Sequence, residues 1–407
     1  MKTKQQLLID NLIAKPMAFL LNFLVRLLGQ ILNIDHNLHK DLDCIVVCKF
    51  KGMGSIIQAT PLLDALRQQH PNAEIIFVST NANTAILKRI DTIDTIYTIN
   101  DKGIFSLLKS LSITLLRLMK KRPDVYIDLE IYSNFSTLVT LFSLAKNRVG
   151  YYLRSSSFKM GIYTHMMYFN TKIPVSESYL QIARLFGKDF KPTSLYPLAK
   201  GIENSYIPPK SGKYIVINPN ASDLRLERRW GRKNYKFLIE QILLQYPDYT
   251  IYLVGSPNER PYTEKVIAGI INDKLINLAG KTSINELISL VKGAAFMVTN
   301  DTGPMHISFA VNTATIALFG PCSPDQYGHF SNAKIIFKDV FCSPCVHEFS
   351  ISPCKGNNTC MQLIEVSEVL KAVQEVHENG QFPLRKNEVL EGMKYEHGDA
   401  ILGLVRR

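Results

Sequence analysis

Short continuous apolar runs alternate along most of the chain with stretches whose apolar residues recur every three or four positions. That is the pattern of buried parallel strands joined by amphipathic helices. Cys44–Phe50, Glu74–Ser79, Thr95–Ile99 and Val125–Leu129 read as strands, with helices at Ile56–His70, Ile104–Lys121 and Phe135–Ala145 between them. A helix over Ser178–Phe186 follows. Pro192, Pro197, Pro208, Pro209 and Gly212 then mark a boundary over 190–212. Beyond it, strands at Tyr214–Asn218, Thr250–Val254, Ala294–Val298 and Thr313–Phe319 accompany helices at Tyr235–Tyr246, Met305–Val311 and Ile364–His377. The expected fold is α/β, with two doubly wound, Rossmann-like domains over 41–200 and 201–380. The tail 381–407 has no clear period.

Residues 1–40 stand apart, with five basic residues against two acidic ones. Met17 to Ile34 is mostly apolar, but Asn22, Arg26 and Gln30 recur every four residues, with Asn11 and Lys15 on the same stripe. Pro16 is expected to break or kink the helix. An amphipathic helix with so narrow a polar face suits a membrane interface, and equally a helix docked on the protein's own surface. The wide apolar face favours the membrane. Spanning would place Arg26 near the bilayer centre at a cost of about 2.5–3.5 kcal/mol. No small-residue cleavage site follows, which disfavours a signal peptide.

Two domains are also what 407 residues imply. A net charge of +12 calls for an acidic partner: nucleic acid, anionic lipid or a phosphorylated substrate. The charge is diffuse, with a single Trp and no Lys/Arg block, so a dedicated nucleic-acid module is not expected. Seven cysteines do not make a secreted disulfide framework in a chain of this size. Cys44, Cys48 and Cys322 read as buried small hydrophobes. The other four, Cys342, Cys345, Cys354 and Cys360, are spaced C-x2-C-x8-C-x5-C. They are compatible with a structural zinc, with reduced thiols or with redox-sensitive disulfides.

The most informative chemistry lies between Phe296 and Pro324. A buried strand ends at Asn300-Asp301-Thr302-Gly303-Pro304, where Asp301 or Thr302 can cap a helix and Pro304 suits its first turn. The N–H groups of Thr302 and Gly303 would then sit at a helix N-terminus beyond the carboxyl end of a strand, where open α/β sheets bind phosphate. A second glycine turn, Lys51-Gly52-Met53-Gly54-Ser55, is a poor dinucleotide fingerprint. Ile57 stands where the third glycine belongs, and Ser79 and Thr80, not an acid, end the second strand. A nicotinamide dehydrogenase is thereby disfavoured.

Asp301-Thr302-Gly303-Pro304-Met305-His306, a small-residue helix and Leu318-Phe319-Gly320-Pro321-x-x-Pro324 resemble the signature of glycosyltransferase family 9, the ADP-heptose:lipopolysaccharide heptosyltransferases. Further stretches over residues 43–370 match in order. The resemblance implies a GT-B arrangement, two domains facing across a cleft, and inverting transfer without a catalytic metal. Neither cofactor nor Asp-x-Asp motif is needed. It also implies a nucleotide-sugar donor (ADP-heptose foremost), a glycolipid or lipopolysaccharide-core acceptor, and a monomer peripheral on the cytoplasmic face of the inner membrane.

Carried over residue by residue, the resemblance gives Arg228, two before Trp230, to the donor diphosphate with Thr302 and Gly303. It gives Glu259 to the ribose, Lys281 to the nucleobase-side loop and Asp301 to sugar hydroxyls. His306 is either packing or a phosphate contact. Arg154, Lys159 and Tyr163 fall in the acceptor-side segment, and Gly54 in the amino-terminal motif. There the chain departs from the family: Ser55 stands where the family has its proposed general base, an Asp. Serine is not basic near neutrality. The nearest replacement by position is Glu130, with Asp128 second, both on one side of a strand end.

Two other classes fit parts of the sequence. One is a non-catalytic nucleotide-sugar-binding or assembly protein that lost its base at Ser55. The other is a redox or metal sensor acting through the four cysteines.

Overall fold

The computed structural model describes residues 8–382, apart from 33, 194–197, 199–207, 209–211, 223–224, 329, 331 and 347–351. The described residues form two compact units. One takes 8–171 and 175–193, the other 172–174 and 198–382. Much of the proline-rich boundary and nearly all of the tail lie outside the described residues.

The first unit holds a six-stranded sheet in the order β3-β2-β1-β4-β5-β6. The strands are β1 (Cys44–Cys48), β2 (Glu74–Thr80), β3 (Thr95–Ile99), β4 (Val125–Asp128), β5 (Asn147–Tyr152) and β6 (His165–Tyr168). Every neighbouring pair runs parallel. β1 and β4 are buried along their whole length, as a strand covered on both faces must be, which is why they read as unbroken apolar runs. The connecting helices are α2 (Met53–Gln58), α3 (Thr60–Gln69), α4 (Thr84–Leu87), α5 (Ile104–Lys121), α6 (Asn134–Phe142) and α7 (Val175–Leu180), with α1 (Lys15–Leu32) preceding the sheet.

The second unit repeats the topology, β12-β11-β10-β7-β8-β9, again parallel throughout. Its strands are β7 (Tyr214–Asn218), β8 (Thr250–Leu253), β9 (Leu275–Asn277), β10 (Met297–Asn300), β11 (Thr315–Phe319) and β12 (Ala333–Phe337). Its helices are α8 (Arg232–Gln245), α9 (Arg260–Ile267), α10 (Ile284–Lys292), α11 (Gly303–Ala310), α12 (Pro324–Tyr327), α13 (Thr359–Gln362) and α14 (Val366–Asn379). Trp230 is a core residue: it stacks edge-on against Tyr235 and donates its Nε1–H to the Ile364 carbonyl at 2.8 Å. In each sheet the order reverses between the first and fourth strands, β1 and β4 or β7 and β10, so ligand sites are expected at their carboxyl ends.

Three local readings change. Ile56–His70 is two helices, because Pro61 restarts the helix in a first turn that needs no N–H from it. Pro16 neither breaks nor ends its helix. It sits in the first turn of α1, just after a π-helical turn, Asp10–Ala14. Ser178–Phe186 divides into the end of α7 and a 3-10 turn, Gln181–Phe186.

Candidate functional site

In the second unit the strand ends converge on α11. Thr302 is the N-cap residue in extended conformation, Gly303 begins the helix and Pro304 lies in its first turn. Thr302 Oγ1 accepts from Asn218 Nδ2 at 2.7 Å instead of capping its own helix. The first-turn N–H groups of α11 therefore receive no side-chain cap. Three asparagines brace the strand ends beneath. Asn218 also reaches Thr299, Asn220 donates to the Val254 carbonyl at 2.8 Å, and Asn300 donates to the Asn220 carbonyl while accepting from Tyr235. Sequence reasoning passed over Asn218 and Asn220; the Asn-Pro-Asn run just past a buried strand was the available signal.

Beside this brace lie two polar atoms without a hydrogen bond. Asp301 Oδ2 and Arg228 Nε are both buried and lack a hydrogen-bond partner among the described residues. Such groups cost about 1–3 kcal/mol each when left unmet. Arg228 Nη1 is 3.7 Å from Asp301 Oδ2, beyond hydrogen-bond reach, and 3.4 Å from the Asp301 carbonyl. Burial disfavours the Arg228 charge, but Cys322 and Asp301 beside it more than offset that and raise its pKa. His306 is buried, with Nε2 3.9 Å from Asp301 Oδ1. Burial lowers its pKa to about 4 despite Asp301, so the ring is neutral at pH 7. The site thus offers a cation, a neutral imidazole and helix-terminal N–H groups around one carboxylate: the chemistry for an anion bearing hydroxyls.

Glu259 caps a turn, Oε2 accepting from the Ser256 N–H at 2.7 Å. Its loop meets the next one closely: the Gly280 N–H donates to the Gly255 carbonyl, and a Cβ at Gly280 (φ +73°) would lie 2.9 Å from Pro257 Cα. Lys281 follows, exposed.

In the first unit most of the expected site residues are buried and hydrogen-bonded. Glu130 is buried and committed: Oε1 accepts from the Phe50 and Lys51 N–H groups at 2.8 and 2.7 Å, and Oε2 pairs with Lys49 at 3.0 Å. Burial raises its pKa, but Lys49 and those two N–H groups outweigh it, leaving a net lowering. Asp128 is 1% exposed and accepts from Tyr163, Ser136 and the Glu130 N–H. Burial raises its pKa. Neither carboxylate presents itself as a ready base: both serve as buried clamps. Ser55, in α2, is only partly buried, and Gly54 beside it is buried.

The expected acceptor residues are likewise drawn inward. Lys159 is 2% exposed, with Nζ 3.4 Å from the Ser133 carbonyl. The Tyr163 hydroxyl is spent on Asp128 and Thr137. Both lie in or beside the 3-10 segment Arg154–Ile162, which α1 covers. The side chain of Arg154 lies outside the described residues.

The zinc expectation is not upheld. The seven cysteines are free thiols, and among the described residues no three His, Cys, Asp or Glu side chains are placed to hold a metal ion. Burial raises the pKa of the Cys345 and Cys360 thiols, the latter to about 11.

Comparison with known proteins identifies the family. The family model for glycosyltransferase family 9 (heptosyltransferase) matches residues 117–355. Lipooligosaccharide heptosyltransferase 2 of Campylobacter jejuni subsp. jejuni serotype O:2 is 24% identical over 334 residues, 80% of this chain and 96% of that protein. Among solved structures, the E. coli ADP-heptose lipopolysaccharide heptosyltransferase II superposes with a TM-score of 0.66 at 19% identity, covering 83% of this chain and 99% of that one. The E. coli heptosyltransferase WaaC with ADP-2-deoxy-2-fluoro heptose gives 0.62 at 16%, covering 82% and 99%. With more than half its length matched by the family model and the fold shared with solved members, the chain belongs to glycosyltransferase family 9, the heptosyltransferase family, and is a glycosyltransferase of GT-B fold.

Proposed function

We propose that the protein transfers heptose from ADP-heptose to a lipopolysaccharide-core or related glycolipid acceptor, with inversion, acting as a monomer at the cytoplasmic face of the inner membrane. The observation that carries this reading is the orphaned pair in the second unit, Arg228 Nε and Asp301 Oδ2, beside the uncapped terminus of α11. A sugar nucleotide satisfies both. Its diphosphate meets the guanidinium and the Thr302 and Gly303 N–H groups, and a sugar hydroxyl donates to Asp301 Oδ2. As the glycosidic bond breaks, negative charge grows on the leaving diphosphate where those donors are already aimed, so no metal is required there. Neutral His306 adds a ring beside that oxyanion, Glu259 accepts from the ribose and Lys281 borders the base. The nucleotide named with the solved relative, an ADP-heptose analogue, has this chemistry.

On the acceptor side, Glu130 fixes the Lys51–Ser55 turn from below and Gly54 and Ser55 line it. The base role moves away from Glu130 and Asp128, both of which are engaged in the fold.

That engagement favours a second reading, a nucleotide-sugar-binding protein that does not turn over. Incubating the protein with ADP-heptose and a lipopolysaccharide-core extract, alongside thermal shift with ADP, separates the two. ADP release that depends on acceptor supports the transferase. Stabilisation by ADP and ADP-heptose with no release, across acceptor preparations that a known heptosyltransferase consumes, supports the binding protein.

A further inference from the structure

The helix of a soluble domain normally turns its apolar face inward and its polar face to water. α1 instead leaves most of its large apolar side chains outward. Asp10, in the π turn before it, accepts from the Asn134 and Phe135 N–H groups and so caps α6 from another element. Ala14 and Ala18 are buried against Leu138, Ile162 and Tyr163. Asn22 Oδ1 accepts from the Gly161 N–H at 2.6 Å, and the Arg26 stem lies so close over Gly161 that a Cβ there would sit 2.6 Å from it. Asn22 and the Arg26 stem thus share the docking face with Ala14 and Ala18, while Asn11, Lys15 and Gln30 are exposed. Leu12, Phe19, Phe23, Leu27, Leu28 and Ile31 point outward, each at least 44% exposed.

A second apolar face lies on the same side of the sheet. Right-handed crossovers place α5 and α6 on that side, and Phe135 of α6 packs both on the buried cluster that takes Leu107, Leu111 and Leu115 of α5 and on the Ala14, Ala18 cluster of α1. The outer face of α5 exposes Phe105 at 90%, Leu108 at 54% and Leu116 at 65%. Residues 102–122 contain six basic side chains and no acidic one.

We propose that the outer faces of α1 and α5 form one docking surface for an anionic lipid bilayer, with α1 lying flat in the interface. Apolar side chains enter the acyl boundary while the basic residues of α5 meet lipid phosphates. Spanning is disfavoured, although the 23 residues Asp10–Leu32 are long and apolar enough for it. Leaving the unit would strip the Asn134 and Phe135 N–H groups of their Asp10 partner and carry Asp10, Asn22 and Arg26 into hydrocarbon. A second copy fits less well, because a two-fold contact through α5 sets basic residues against basic residues. The proposal deepens the membrane-bound reading above, and its test needs no turnover.

Full-length protein is floated with vesicles of phosphatidylethanolamine and phosphatidylglycerol, and with phosphatidylcholine vesicles for comparison. Wild type binds the anionic vesicles, less at high salt and less with phosphatidylcholine. Leu24→Gln with Leu28→Gln, Phe105→Ser with Leu108→Ser, and Lys109→Glu with Lys120→Glu each weaken binding roughly ten-fold or more. These side chains are exposed, and unchanged melting shows that each variant is folded. Wild type that does not float, or folded variants that float like wild type, would overturn the proposal. So would a dimer by light scattering that dissociates in the α1 variant while vesicles bind nothing. Vesicle binding without sugar transfer would count against the transferase alone.

Discussion

Arg228 Nη1 stands 3.7 Å from Asp301 Oδ2, an opposite-charge pair held short of a hydrogen bond, and among the described residues neither Arg228 Nε nor that Asp301 oxygen has a hydrogen-bond partner. A pair built for stability would close this gap. Left open at a helix terminus, it leaves a donor and an acceptor to whatever enters. The surrounding asparagines, Asn218, Asn220 and Asn300, are by contrast well bonded and hold the strand ends rigid.

The Lys49–Glu130 pair is the opposite case: closed at 3.0 Å and 8% exposed on each side. Glu130→Gln removes the charge that balances Lys49 and weakens the clamp on Phe50 and Lys51. It is expected to destabilise the protein by about 3–5 kcal/mol, and Lys49→Met by a similar amount. The double variant Lys49→Met/Glu130→Gln should lose less than the two singles added together, as urea unfolding of all four proteins would show. Strict additivity would mean that the pair is not coupled.

His306 gives a pH signature. Its pKa in the fold is lowered to about 4 by burial, against about 6.5 unfolded. The unfolded chain therefore binds the extra proton between those values. The contribution, about 3 kcal/mol, is fully present above pH 6.5 and is lost as pH falls through 4. Melting of the His306→Gln variant should fall less steeply than wild type over that window; parallel curves would assign the acid loss elsewhere.

Gly150 packs against the buried ring of Tyr163, where a Cβ would lie 2.4 Å from the ring. Gly150→Ala has to push that ring off Asp128 and should cost about 1–3 kcal/mol. Loss of stability in denaturant with the Tyr163→Phe background largely unaffected would instead point to the strand backbone.

Sequence reading reached the fold because parallel strands buried on both faces leave unbroken apolar runs such as Cys44–Cys48 and Thr315–Phe319. It missed β5 and β12, whose apolar runs are broken by Arg148 and Lys334, and β6, where His165-Met166-Met167-Tyr168 is only half-buried. It located the α11 terminus because Asp301–Pro304 is local turn chemistry. It put Glu130 and Asp128 on one side of a strand end but could not see what they face. Lys49 and Tyr163 reach them from 81 and 35 residues away, and those partners turn prospective bases into clamps. The same holds for Lys159, whose charge promised a surface and whose side chain is buried. For residues 1–40 the amphipathic pattern was legible, but not that Ala14, Ala18 and Asn22 face the protein while the large apolar side chains face outward. That orientation depends on Gly161 and on the capping of α6.

The most direct measurement is acceptor-dependent ADP release from ADP-heptose by wild type, Arg228→Ala and Asp301→Asn, each checked for native melting. If the open pair is where the donor is held and its leaving group stabilised, wild type turns over and each variant loses about 100-fold or more in kcat/KM. Folded variants that release ADP at the wild-type rate would contradict the assignment of the donor to this site.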